Sequence, residues 1–316
     1  MNDYTDEFKE IVRAYERIGG NRNDILSKDI GSLVINADRV LEKNDVEGLH
    51  IKYRKIKNGV SVKVYVDKNS VINYPVHLCF GMLPSQGTQI IKSDFFIGDN
   101  SRVKFISHCF FPNAKRIEHI MKSLVRVGKN AEMSYLEEHY HSNSGGTFVY
   151  PKVIAHIDSG GKLLEEFKLI RGRVGNLDID YEVSQDSKSS SELLAKVCGK
   201  KTDSIKIREA IYLNGPYASG IAKSRIVLTG SSHGNVLGEV EGNAPHTRGH
   251  VDCHEIVHGR NAVASSTPRI SVNDPLARVT HEAAIGRINK KELETLMARG
   301  LTENEAIDFI IKGLLR

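Results

Sequence analysis

The sequence predicts an all-β core, a right-handed parallel β-helix, flanked by an N-terminal helix and a C-terminal helical hairpin. Three observations carry the prediction. From Asp67 onward a small polar turn followed by an alternating run recurs as DKNSVI at 67, GDNSRVKFI at 98, GKNAEMSYL at 128, DSGGKLLEEF at 158 and KSSSELLAKV at 188, the self-similarity expected of stacked coils. Within the copies the apolar residues alternate (Val103/Phe105, Met133/Tyr135, Leu163/Phe167, Leu193/Val197), which selects strand over helix. No helical pattern intervenes between copies, and this separates a β-helix from leucine-rich or ankyrin arrays.

Residues 5–18 place Phe8, Ile11, Val12, Tyr15 and Ile18 at helical spacing, and Gly19-Gly20 stops the run, so a docking or capping helix is expected there. A polar stretch without clear pattern follows, and residues 1–48 are assigned to a helical or irregular segment. The β-helix is expected over 49–287. It opens with IKYRKIKNGVSVKVYV, where Asn58-Gly59 stands between alternating runs in the manner of a type I′ hairpin turn. Val60, Val62, Val64 and Val66 form its buried face, and the basic run Lys52, Arg54, Lys55 and Lys57 reads as a solvated edge. Cys79 and Cys109, each followed by Phe, are expected at equivalent inward positions of adjacent coils, as apolar core thiols. The turn recurs as GSSHGNVLGEV at 230 and GRNAVASSTP at 259, whereas 200–229 yields no register.

Over 288–316 the pattern changes. Asn289 with Glu292 and Thr302 with Glu305 are two consecutive capping boxes, and Gly300 ends the first helix. The second helix carries Ala306, Ile307, Ile310, Ile311, Leu314 and Leu315, an apolar face that must be buried either on the end of the solenoid or on another protein.

Composition excludes more than it selects. The chain has 316 residues, 40% hydrophobic and 26% charged, with no apolar run near the roughly 18 residues of a membrane span. The polar opening MNDYTDEFKE reads as no signal peptide. A net charge of +5 with interspersed signs argues against nucleic acid as a partner. Four cysteines without a C-x-x-C pair point away from a disulfide framework and from a common structural zinc site, and fit a reducing cytoplasm. There is no G-x-x-x-x-G-K-[ST], so the chain is not expected to hydrolyse nucleotide itself and any ATPase must come in trans, and neither G-x-S-x-G nor H-E-x-x-H occurs.

Ligand chemistry concentrates between His250 and Ile285. Gly249 and Gly259 bracket a short strand, on which Val251, Cys253, Glu255 and Val257 share one face and His250, Asp252, His254, Ile256 and His258 the other. Arg278 to Glu282 reads as a second strand about thirty residues on, so Cys253 and the pair His281-Glu282 fall on neighbouring strands if the fold stacks at that interval. A thiolate, an imidazole and a carboxylate suit iron or zinc. The row His246, His250, His254, His258 reads first as a solvated or interfacial face and second as a metal or pH-sensitive site.

This stretch resembles the C-terminal core of the SufB/SufD family of iron–sulfur cluster assembly scaffolds. The likeness rests on Cys253, Pro268 fifteen residues later, Ile270, and His281-Glu282-Ala283, with the tail ARGLTENEAIDFIIKGLL similar to the family's closing helix. The resemblance implies a parallel β-helix and a non-enzymatic scaffold. It makes Cys253, His281 and Glu282 cluster-associated, with His254, Glu255 or a second chain completing the shell. It further implies a SufC-like ABC-type ATPase held by Ala306, Ile307, Ile310, Ile311 and Leu314, and a homodimer or SufB/SufD-like heterodimer joined at the last strands, which delivers clusters to apo iron–sulfur proteins. One departure bears on the sulfur route. Where the family has a sulfur-receiving cysteine after Tyr-Leu-Glu-Gly, this chain reads Tyr135-Leu136-Glu137-Glu138-His139. Two other classes compete: a β-helix carbohydrate-active enzyme, which would want rows of carboxylates and aromatics and is disfavoured by the absence of Trp, and a purely structural binding module.

Overall fold

The computed structural model describes residues 6–17 and 19–315. The chain is a β-solenoid of about eight turns. Successive core strands alternate between a ten-stranded and a nine-stranded sheet, so each pairs in parallel with the strands two before and two after it. Alternation decides which side chains go inside. In the strand Arg116–Val127 every second residue is buried, from Ile117 through His119, Met121, Ser123 and Val125 to Val127. Interior aromatics such as Phe95, Phe105 and Tyr135 meet edge-on or tilted between the sheets, with centroids 5.2 to 6.3 Å apart.

The thirty-residue repeat is a strand-pairing register. Arg102 lies opposite Glu132, Ile117 opposite Thr147 and Arg248 opposite Arg278. In the middle of the chain the register shortens, with Asn176 opposite Ser204 and Ser190 opposite Ser219. Each coil also has two turns. The copies at 230 and 259 belong to the second turn, in line with Lys200 to Asp203, which is why 200–229 offered no register to a reading with one turn per repeat. Its strands, Ser204–Leu213 and Ser219–Thr229, are regular.

The polar turns stack as well. Asn69, Asn100 and Asn130 take left-handed φ values of 60°, 56° and 52°, which asparagine tolerates better than most residues. Asn100 donates to Asn69 at 3.0 Å and Asn130 to Asn100 at 3.4 Å. A second amide ladder joins Asn214, Asn243 and Asn273. On the outer face of the nine-stranded sheet, ion pairs run from Lys152 through Asp180, Arg208 and Glu239 to Arg269, crossing five strands.

Three local expectations need correction. The hairpin turn is Lys57-Asn58, not Asn58-Gly59. Asn58 has φ 57°, while Gly59 already pairs with Ile56, and a Cβ there would stand 1.8 Å from the Ile90 carbonyl oxygen, so its glycine serves close approach rather than the turn. Cys79 and Cys109 are not equivalent. Cys79 lies opposite His108, and this one-residue slip puts the two thiols on opposite faces of the sheet, Cys109 in the interior and Cys79 on the outer side. Lastly, the segment before residue 49 contributes two strands, Ser32–Asn36 and Arg39–Asn44; the first is fully buried and pairs in parallel with Val76–Gly81.

Both terminal helices lie along the outer face of the ten-stranded sheet. Helix α1 (Asp6–Arg17) buries Phe8, Ile11, Val12 and Tyr15 against Val34, Cys79 and Phe110, each contributing on the order of 1.5–3 kcal/mol of gross hydrophobic stabilisation; Ile18 lies outside the described residues. A single turn of helix, α2 (Asn23–Leu26), adds Ile25. At the other end α3 (Lys290–Ala298) is capped by Asn289, and α4 (Glu303–Leu314) by a full Thr302/Glu305 capping box. Gly300 between them has φ 97°. The apolar face of α4 does not cover the solenoid's end. Ile307, Ile311 and Leu315 pack sideways on Cys198 and Val227, leaving a cleft of about 990 Å³ between helix and sheet. No helix among the described residues is long and apolar enough to cross a membrane.

Candidate functional site

The strands Arg248–His258 and Arg278–Arg287 are parallel neighbours, as the thirty-residue interval requires, and the second of them is the edge of its sheet. Val263–Val272 is the corresponding edge of the other sheet. Among the described residues no strand pairs beyond either edge. Inward-parity residues that would be core in mid-solenoid are therefore open to solvent: His281 is exposed, as is Ile285 at 49%.

Cys253 lies one coil beneath this end. Alternation turns it inward with Val251 and Glu255, and it is 2% exposed. Burial pushes its thiol up; Ser266 and Ser224 lie close enough to oppose that rise, though neither hydroxyl makes a hydrogen bond of ordinary geometry. Glu255, on the same face, has no hydrogen-bond partner on either carboxyl oxygen and is pushed up to about 6 by burial. The rise is smaller than for carboxyls in mid-solenoid because one coil alone lies over it.

The pairing sorts the other candidates. His281 stands opposite Val251, and Ala283 opposite Cys253, so His281 shares Cys253's face one step back along the neighbouring strand. Glu282 stands opposite Asp252, on the outer face. There Arg225 binds Asp252 in a fork at 3.0 and 2.5 Å, and that guanidinium holds the Asp252 carboxyl below its usual range. His254 belongs to the outer face too. The carboxylate nearest Cys253 by strand and face is accordingly Glu255. In a single chain Cys253, His281 and Glu282 do not converge: among the described residues they form no group of three donors within 4.8 Å. The histidine row does not form a site either. His246 lies in a turn, stacked on Tyr217 at 4.8 Å, and His250 bonds Thr280 at 2.8 Å.

Polar groups inside the solenoid were missed in the sequence. Glu137, Glu165 and Glu209 all face inward and are 1 to 2% exposed. Burial pushes Glu137 and Glu209 up to about 8 and Glu165 well above the carboxylate range. Tyr135 and Tyr181 lie among them, their hydroxyls raised by the same burial and by these glutamates. The signal was present, since each glutamate occupies an apolar parity of its strand, as Glu137 does after Met133 and Tyr135.

A regular solenoid with a buried thiol and carboxylate, Cys253 and Glu255, one coil beneath an edge strand defines a class, a β-solenoid whose chemistry lies at its open end rather than in an enclosed cleft. The family model for the SUF system FeS cluster assembly SufBD core domain matches residues 84–314. The chain belongs to the SufBD family of iron–sulfur cluster assembly proteins. It is 37% identical over 310 residues to a SufBD family protein of Methanocaldococcus jannaschii, covering 98% of both chains, and 35% identical over 313 residues to one of Pyrococcus horikoshii, covering 99% of this chain and 95% of that one. A SufBD family protein of Archaeoglobus fulgidus is 24% identical over 281 residues, 88% of this chain and 73% of the other.

Proposed function

We propose that this chain is a scaffold on which an iron–sulfur cluster is built, with the cluster held as cargo at the uncovered end by Cys253. The observation that carries the reading is the position of Cys253, beneath an exposed coil that offers His281 on the same face and Glu282 at its outer edge. One thiolate per chain falls short of the sulfur ligation such clusters usually have. Pairing two chains through their last strands brings two copies of Cys253 together, and the unpaired edges at 263–272 and 278–287 are templates for such pairing. A homodimer is the simplest form, and a SufB/SufD-like heterodimer is the alternative.

Energy for assembly comes, in this reading, from a separate SufC-like ABC-type ATPase docked on the C-terminal helices. The residues of α4 free to meet it are Phe309, at 62% exposure, with Ile310 and Leu314 partly exposed beside it. Ala306, Ile307 and Ile311 are buried within the chain and act by holding the helix in place. Finished clusters pass to apo iron–sulfur proteins.

The test is anoxic reconstitution with ferrous iron and sulfide. Cys253→Ser should lose most bound iron and acid-labile sulfide, because sulfide-rich sites depend on thiolate ligation; Glu282→Ala should lose part. Wild-type iron and sulfide in Cys253→Ser, with loss in Cys198→Ser, would move the site elsewhere.

A further inference from the structure

Four to five coils back from Cys253, the solenoid's interior holds a second set of ligand atoms. Cys109 and His139 stand directly opposite each other on neighbouring strands, both facing inward. From the other sheet His119 reaches toward them across the core. One donor atom from each of the three lies within 4.8 Å of the others, and all three residues are at most 2% exposed.

Hydrogen bonding around this cluster is nearly complete, and the exception is informative. His141 Nδ1 meets the Arg173 carbonyl oxygen at 3.2 Å and must donate to it, which leaves Nε2 as an acceptor. His139 Nδ1, 3.2 Å from that nitrogen, donates to it. His139 Nε2 then accepts from Glu137, 2.6 Å away, whose carboxyl, pushed up to about 8 by burial, carries a proton to give. Every nitrogen of His139 and His141 is thus used once. Neither nitrogen of His119 has a partner, although its ring is fully enclosed. An orphaned polar group inside a dry core is costly, and His119 carries two beside a buried thiol.

We propose that Cys109, His119 and His139 bind one divalent transition-metal ion of the zinc and ferrous class, at a site separate from Cys253. A thiolate and imidazoles are the donor set such ions take. His119 supplies a lone pair that no protein group uses. His139 exchanges its Nδ1 contact with His141 for the ion and keeps its ring oriented through Nε2 and Glu137, the carboxylate–histidine–metal arrangement. Charge balances with the Cys109 thiolate and the Glu137 carboxylate set against the 2+ ion. Binding therefore exchanges the ion for two protons, one from the Cys109 thiol and one from the hydrogen-bonded His139–Glu137 pair.

Cobalt(II) is the probe, because a thiolate ligand gives it a sulfur-to-metal charge-transfer band that imidazole and carboxylate do not. The titration uses the full chain as Cys253→Ser, freed of metal by chelator under anoxic conditions. One equivalent should bind with the charge-transfer band, zinc should displace it, and the band should vanish in Cys109→Ser and in His119→Leu added to that background. Folding is checked independently. His119→Leu removes two orphaned nitrogens from an apolar setting beside Phe111, 4.9 Å away, so without metal it should melt at or above its parent. A folded parent chain with no charge-transfer band would overturn the proposal and leave His119 answered by ordered water. Persistence of the band in Cys109→Ser or His119→Leu would overturn it as well, placing the sulfur at Cys79 or Cys198.

Discussion

Glu209 is the interior carboxyl whose removal tests most directly how the solenoid tolerates charge. It faces inward from Ser204–Leu213 at 1% exposure. One oxygen has no partner, and the single favourable contact is a backbone hydrogen bond from Lys223. Burial raises it from 4.5 to about 8. Between those values the folded chain keeps a proton that the unfolded chain has released, so stability falls as pH rises through the window and levels off above about 8. Each pH unit is worth about 1.4 kcal/mol, which makes the loss about 3 kcal/mol at pH 7 and about 5 kcal/mol in full. Glu209→Gln keeps the shape and removes the titration. Urea unfolding of both proteins from pH 5 to 9 should give curves that diverge by about 1.4 kcal/mol per unit, with the variant more stable at the alkaline end. Glu137 and Glu165 slope both curves equally and cancel in the difference. Parallel curves would mean that Glu209 is ionised inside the fold or solvated there, and the account of the interior would fail.

Two further tests separate structure from partnership. Ile311→Ala, which strips the α4 side chain buried on Cys198 and Val227, should cost about 2–4 kcal/mol, read as faster amide exchange confined to the C-terminal helices. Ile310→Asp should leave melting unchanged yet abolish co-purification with the ATPase; global unfolding by it would mean that this face belongs to the core. The buried pair Arg173–Asp203, 2.8 Å apart with side chains 10% and 0% exposed, should cost about 3–5 kcal/mol when Arg173→Met leaves the carboxylate uncompensated, with partial recovery on adding Asp203→Asn. Unchanged urea stability in the single variant would show that the Lys200 and Gly175 amides suffice for Asp203.

Much of the fold was legible because a solenoid repeats its own answer. Alternation gave strands, and the interval between Cys253 and the His281 pair gave adjacency, since Val251 and His281 are opposite in the register. What alternation also implied, that His281 and Glu282 point to opposite faces, lowers Glu282 and raises Glu255 as Cys253's companion. Register slips were not legible. The pairing of Cys79 with His108 depends on how the turns close, and one residue of slip inverts a face while leaving the sequence spacing unchanged. Contacts across the core, such as His119 with His139 at 5.8 Å between ring centres, join different sheets and follow no period along the chain. The sideways packing of α4 was hidden for a simpler reason: Cys198 and Val227 are apolar positions on an outer face, and the runs Val197-Cys198 and Ile226-Val227-Leu228 are too short to stand out from the alternation around them.

The uncovered coil also sets where the molecule opens first. In a stack held together by nearest neighbours, an inner coil is secured from both sides and the last from one, so fraying begins at 263–287 and its free energy lies well below that of global unfolding. Slow amide exchange should fade toward that end while the strands around Phe105 and Phe167 stay protected. Under the proposed function, a second chain or cargo closing over Cys253 would act on the least secure coil and therefore tighten it more than the same contact would tighten any other. Loading then registers as a hardening of the solenoid's tip, and release begins with its softening.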